Sequence, residues 1–183
     1  MTMRRLTPLL LLVLAGCGFL SRSKSTFYSL DRIPPSAAVT GTRGTPVAID
    51  AIELPPGFDR REVVLRKEGQ QLDVRGNEQW SASLQAMVLH TLAFDLAARL
   101  PEGTVILPGQ AIPPGATRSV SVVFEELAAG PEPRFVLDAR WAVGGATRHE
   151  RIVVDLASLD SANIATGMSQ ALAQLADRMA AQL

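Results

Sequence analysis

The stretch of sequence that decides the fold runs from Arg134 to Gly145 and reads RFVLDARWAVGG. Apolar and polar residues alternate through it, which predicts a strand with one buried face. The two glycines at its end suit a two-residue hairpin turn, because such turns require positive φ angles. A strand from Thr147 to Leu156 should therefore return beside the first. The residues assigned to the buried face are Phe135, Leu137, Ala139, Trp141 and Val143, and those assigned to the other face are Asp138 and Arg140.

Other strands are predicted upstream of this hairpin. The segment from Arg118 to Leu127 alternates in the same way and extends the sheet. Three shorter segments that begin at residues 47, 62 and 71 are expected to form a meander, and the Pro- and Gly-containing stretch from Ile33 to Pro46 is expected to be a loop. The shorter strands are Phe27–Leu30, Val47–Leu54, Glu62–Arg66, Gln71–Val74 and Thr104–Leu107.

Two long helices are predicted from apolar residues that recur every three or four positions. The first runs from Asn77, as N-cap, to Arg99, and includes Trp80, Leu84, Val88, Leu92 and Leu96. The second runs from Ser161 to Leu183. Together the elements predict an α+β fold, in which two long helices pack on a mainly antiparallel or mixed sheet within a single domain.

The N-terminus has the three-part layout of a secretory signal. Arg4 and Arg5 precede an apolar run, and the small residues Ala15 and Gly16 precede Cys17, the single cysteine. The run is shorter than the about 20 residues that cross a bilayer. The small pair followed by cysteine resembles the lipobox of bacterial lipoproteins, in which the thiol is acylated and becomes the new N-terminus. We therefore expect residues 1–16 to be a lipoprotein signal peptide, 17–26 a lipidated tether and 27–183 a periplasmic α+β domain.

Composition argues against several classes of function. Removing the signal takes two of the 18 basic residues and leaves 18 acidic ones, so the mature chain has a net charge of about −2 and no basic excess for nucleic acid. A single cysteine cannot form an intramolecular disulfide. The two histidines, His90 and His149, are far apart in the sequence. The pattern predicts neither a metal nor a cofactor.

No catalytic motif is recognisable, and we expect a protein that is not an enzyme. Ser81 or Ser83 with His90 and Asp95 would all lie on one predicted helix, where residues two turns apart are about 10 Å apart along the axis. Glu125 and Glu126 are adjacent on a strand, so they are expected to face opposite sides.

Several residues have two possible interpretations. The charged run from Asp59 to Glu62 fits either an exposed turn or an intermolecular contact. Trp80 and Trp141 fit either the core or the wall of a lipid pocket, with the core as the commoner case. The alanine-rich last helix fits packing on its own sheet or on a partner.

An ordered set of local patterns resembles the PqiC (YmbA-type) family, the auxiliary lipoproteins of MCE-type intermembrane transport systems. The matching pieces are the lipobox through Cys17, Phe27-Tyr28-Ser29-Leu30, Leu54-Pro55, Phe58-Asp59-Arg60, Val63-Val64-Leu65-Arg66, Trp80 with Leu84 opening the long helix, and Leu137-Asp138-Ala139-Arg140-Trp141. Arg61 departs from the Pro that members often carry after the Asp-Arg pair, and the loop from Ile33 to Pro46 has no counterpart that we can align.

This resemblance implies a component anchored in the outer membrane and facing the periplasm, without enzymatic activity. Gly18 after the lipidated cysteine agrees, because Asp in that position tends to retain such lipoproteins at the inner membrane. The implied partners are an MCE-domain conduit protein and an inner-membrane permease, with Asp59, Arg60 and Arg66 as contact residues and self-association into a ring. Two alternatives stay open: a lipoprotein that itself carries lipid, and an assembly lipoprotein of another envelope machine.

Overall fold

The computed structural model describes residues 24–36, 39, 41–115 and 117–183. The predicted signal and Cys17 lie outside this range. In chain order the elements are β1 (Thr26–Tyr28), β2 (Val47–Glu53), β3 (Glu62–Arg66), β4 (Leu72–Trp80), α1 (Leu84–Ala97), β5 (Val105–Ile106), β6 (Arg118–Ala129), β7 (Arg134–Val143), β8 (Ala146–Asp155) and α2 (Ser161–Ala180). Two helices and two mixed sheets form one α+β domain, which confirms the predicted fold class.

The larger sheet has five strands in the order β5-β2-β6-β7-β8. β6, β7 and β8 are antiparallel neighbours, whereas β2 runs parallel to both β5 and β6. Gly144 and Gly145 form the predicted hairpin with φ angles of 56° and 83°. Val143 therefore lies opposite Ala146, and this pairing sets the register of the whole β7–β8 ladder.

Both helices cover the same face of this sheet. α1 packs on β2 and β5, α2 packs on β6, β7 and β8, and the two helices contact each other. Phe135, Leu137 and Trp141 from β7 are at most 1% exposed beneath them. α2 begins where the sequence predicts, since the Asp160 side chain accepts a hydrogen bond from the Asn163 amide as an N-cap.

The smaller sheet has three strands in the order β1-β4-β3. β3 is buried on both faces, because Val63 and Leu65 join the main core while Val64 packs with Phe58 and Ala128 on the other side. The predicted meander is wrong: β2 belongs to the larger sheet, and only β3 and β4 form a hairpin. β2 instead pairs with β5 and β6, which come much later in the chain. The sequence of β2 alone does not predict these partners.

The predicted start of the first helix is also wrong. Asn77 lies within β4, which continues to Trp80, and Ser83 is the N-cap of α1. The main chain explains the difference, because the Trp80 amide donates to the Arg61 carbonyl and the Ser81 amide donates to the Tyr28 carbonyl. Trp80 is 2% exposed at the end of a strand, so it reaches the core without opening the helix.

Candidate functional site

The turn between β2 and β3 carries two of the three predicted contact residues. It folds over Pro55, whose carbonyl accepts a hydrogen bond from the Phe58 amide at 3.1 Å, and Gly57 supplies the positive φ of 87°. Phe58 is 4% exposed, whereas the next residues, Asp59 and Arg60, are exposed. A buried aromatic side chain thus anchors a charged turn on the surface.

Arg66, the third predicted contact residue, is connected to this turn through Phe58. The guanidinium carbon of Arg66 lies 5.3 Å from the centroid of the Phe58 ring, within the range of a cation–π contact. Its Nε lies 3.6 Å from a carboxylate oxygen of Glu126 on β6. Arg60, in contrast, pairs with Glu62 at 3.1 Å. Arg66 therefore belongs to the junction between the two sheets, and Arg60 belongs to the exposed rim.

A bulge in β6 changes the predicted arrangement of the acidic pair. The register with β7 shifts between Phe124 and Glu126, so the alternation of faces is interrupted. Glu125 then pairs with Arg140 at 2.5 Å, and Glu126 lies 3.6 Å from Arg151. The expectation that the two carboxylates face opposite sides is wrong, because both contact arginines on the face of the sheet away from the helices.

Asp138 is the centre of this charged network. It is 8% exposed and accepts hydrogen bonds from Arg151 at 2.7 Å and from His149, whose Nε2 lies 2.5 Å from the carboxylate. Burial on its own raises the pKa of Asp138, but the hydrogen bonds from His149 and Arg151 outweigh it and hold that pKa below its usual value. The carboxylate is therefore ionised and fully engaged near neutral pH.

Ligand atoms of Glu125, Asp138 and His149 lie within 4.8 Å of one another, a grouping that could hold a metal ion. This grouping was not predicted from the sequence, because the spacing of His90 and His149 along the chain indicates no shared site. The hairpin register could have revealed it: counting outward from the glycine pair places Asp138 opposite Arg151 and Arg140 opposite His149. Both carboxylates are already paired with arginines, so an ion-pair network accounts for the cluster without a metal.

The residues of the rejected triad have separate roles. The Ser83 hydroxyl caps α1, and the Asp95 carboxylate accepts from the Ile33 amide. Among the described residues no hydrogen bond joins Ser81 or Ser83 to His90, or His90 to Asp95. This constellation offers no nucleophile–base pair.

Both tryptophans are core residues, as the commoner interpretation predicts, with Trp80 2% and Trp141 1% exposed. Neither lines the two open grooves that flank α1. The larger groove, about 690 Å³, lies at the C-terminal end of α1, and the smaller, about 420 Å³, lies beside its N-terminal half. Within the described residues, neither helix has the length and apolar character needed to cross a membrane.

These features define an α+β domain whose surface carries a network of ion pairs and a charged turn anchored by the buried Phe58. The chain belongs to the family of ABC-type transport auxiliary lipoprotein components, whose family model matches residues 28–180. This membership confirms the resemblance to the PqiC-type lipoproteins. The family serves transport as an auxiliary component and is not an enzyme family.

Solved structures show the same fold at low sequence identity. A crystal structure of a protein described as uncharacterized matches with a TM-score of 0.72 and 14% identity, covering 87% of this chain and 98% of its own. A Xanthomonas campestris protein of the DUF330 family matches with a TM-score of 0.60 and 14% identity, covering 85% of this chain and 93% of its own. No curated protein matches this chain.

Proposed function

We propose that this protein is an outer-membrane-anchored auxiliary lipoprotein of an MCE/ABC-type intermembrane lipid transport system, in which it serves as a docking component without enzymatic activity. The observation that carries the proposal is the family match over residues 28–180, which names an auxiliary lipoprotein of ABC-type transport. The partners that we propose are an MCE-domain conduit protein and an inner-membrane permease, with a ring of sister subunits as the assembled form.

The docking surface that we propose is the turn with Asp59 and Arg60, supported by Arg66. Its backbone is held by Phe58 in a small buried cluster, so the charged side chains are presented from a rigid base. A preorganised turn favours binding because little conformational entropy is lost when the complex forms. Arg66 acts by positioning, since its guanidinium contacts the Phe58 ring and Glu126.

Membrane fractionation tests the anchor. Cys17→Ser should move the protein from the membrane to the soluble fraction while the domain stays folded, because the acyl chains supply the membrane affinity. The matched control Ser21→Ala changes a nearby tether residue and should remain in the membrane fraction. Gly18→Asp should shift the protein from the outer to the inner membrane. A Cys17→Ser protein that still sediments with membranes would contradict the proposed anchor.

Site-specific photocrosslinking tests the docking surface. A crosslinker at position 59 should capture the MCE-domain protein. One at Thr147, which is exposed beside the β7–β8 turn at the opposite end of the larger sheet from Ala128, should not. Arg60→Glu should reduce the capture from position 59 without changing the thermal stability of the domain. Equal capture from both positions would show that this turn is not the interface.

A lipid carrier is the second candidate, favoured by the groove of about 690 Å³ at the end of α1. Its lining includes Leu100, Val105 and Leu107, and its volume is within the range of small-molecule sites. Mass spectrometry of the purified protein separates the two functions. A lipid bound at one per chain would support the carrier, and lipid-free protein that still binds its partner would support the docking role.

A further inference from the structure

The segment Asp31–Ile33 lies across the seam between α1 and α2 and is held there by side chains of both helices. The Asp31 amide donates to the Ser169 hydroxyl of α2 at 3.0 Å, and the Ile33 amide donates to Asp95 Oδ1 of α1 at 2.9 Å. Arg99 Nη1 donates to the Ile33 carbonyl, also at 2.9 Å. In the described part of the chain, no hydrogen bond between two main-chain groups outside the helices and strands includes these three residues. Their attachment therefore depends on a few side chains.

The contact at Asp95 is incompletely satisfied. Asp95 is 1% exposed, and its second oxygen, Oδ2, is buried with no hydrogen-bond partner. A buried polar atom without a partner is costly, and an ionised one more so. The segment thus contacts a buried carboxyl group that has one oxygen hydrogen-bonded to the Ile33 amide and the other without a partner.

The charged groups around Asp95 come from every element packed against it. Arg32 lies on the segment itself, and Arg99 lies just after the C-terminal end of α1. Asp177 lies on α2, where its Oδ1 accepts a hydrogen bond from Arg99 Nε at 2.5 Å. Burial raises the pKa of Asp95 to about 6, above its ordinary value of 3.8. The Ile33 hydrogen bond and the charges of Arg99 and Arg32 lower it in part, while Asp177 raises it.

We propose that Asp31–Ile33 is a latch on the α1–α2 seam, which tightens when the Asp95 carboxyl is protonated and loosens when it is ionised. A protonated Asp95 keeps Oδ1 as the acceptor for the Ile33 amide and removes the negative charge from a buried carboxyl group whose Oδ2 has no hydrogen-bond partner. Opening the latch exposes the carboxyl to water, where ionisation costs nothing extra.

The sign of the pH dependence follows from linkage. The closed latch binds the proton more tightly than the open one, so the extra stability of the closed state is complete below about pH 3.8 and is lost as the pH rises through about 6. Between pH 5 and pH 7.5, a shift of this size weakens closure by about tenfold.

Hydrogen exchange on the full chain, purified in detergent, tests the latch. After correction for intrinsic rates, the protection of peptides covering residues 29–36 should fall about tenfold between pH 5 and pH 7.5, while peptides from β7 stay constant. Asp95→Asn keeps the acceptor oxygen and cannot ionise, so its protection should be the same at both pH values. Asp50→Asn, which changes an exposed carboxylate on β2, should behave like the unmodified protein.

If Asp95→Asn does not fold, two further measurements test the latch. Ser169→Ala removes the other latch contact and should lower protection at both pH values while leaving the tenfold pH dependence in place. Titration of the Asp95 carboxyl carbon by NMR should give a midpoint near 6. A midpoint near its ordinary value, or pH-independent protection of residues 29–36, would overturn the latch. Failure of Cys17→Ser to leave the membrane would overturn only the anchor.

Discussion

Replacing Phe58 by Ala tests whether this residue supports the charged turn. Phe58 is 4% exposed and forms a small hydrophobic cluster with Val64 and Ala128. Truncating a buried Phe to Ala costs about 3–5 kcal/mol, and a cluster this small should lie at the lower end. Arg66 also loses the ring beneath its guanidinium, which adds about 0.5–1 kcal/mol. The expected loss is about 3–4 kcal/mol of unfolding free energy, less than the total of a typical domain.

Urea denaturation followed by circular dichroism measures this loss as a lower midpoint with an unchanged slope. Ile112→Ala is the matched control, since Ile112 is 65% exposed and its truncation should change stability by less than about 0.5 kcal/mol. A double-mutant cycle with Arg66→Ala should give a coupling energy of about 0.5–1 kcal/mol. A loss below about 1 kcal/mol for Phe58→Ala would show that the turn does not depend on this anchor.

Three further substitutions test the packing of the domain and its charged network. Gly167→Ala should lower the free energy of unfolding by about 1 kcal/mol despite the better helix propensity of Ala, because the new Cβ would overlap Leu156 Cδ2 and lie 3.1 Å from the Phe135 Cβ. A melting temperature above that of the unmodified protein would contradict this close packing. Asp138→Asn should lower the free energy of unfolding by about 1 kcal/mol at pH 7. This difference from the unmodified protein should disappear as the pH falls below 3.8 through the lowered pKa of Asp138. Denaturation across a pH series measures it. Arg75→Met should lower the free energy of unfolding, measured by thermal denaturation, by about 1–2 kcal/mol. Arg75 donates a hydrogen bond to the Ser161 hydroxyl at 2.9 Å and so joins β4 to the start of α2. Unchanged stability would mean that this hydrogen bond is not needed.

The parts of the fold that were correctly predicted depend on local pattern. The alternation from Arg134 to Val143 and the glycine pair after it define the β7–β8 hairpin, because turn geometry and side-chain period act over neighbouring residues. The apolar period that follows Ser161 defines α2 in the same way.

The predictions that failed concern contacts between distant segments. Trp80 fits the four-residue period of α1, yet it ends β4 because main-chain partners at Tyr28 and Arg61 hold that segment in a sheet. The bulge before Glu126 is also a property of the β6–β7 pair, since it depends on how two strands meet. Sequence periodicity predicts which residues of an element are buried, but it does not predict which other element packs against them.

The candidate site also depends partly on local sequence patterns and partly on contacts between distant segments. The sequence by itself determined the exposed turn with Asp59 and Arg60, the resemblance through which the family was recognised, and the lone Cys17 on which the anchor proposal rests, because each is a short contiguous pattern. Only the tertiary structure brought Phe58 beneath Arg66, gathered Glu125, Asp138 and His149, and placed Ile33 over the buried Asp95. These contacts join residues that are far apart in the chain or depend on a bulge, and folding brings them together through the shared burial of the two sheets and the helix seam.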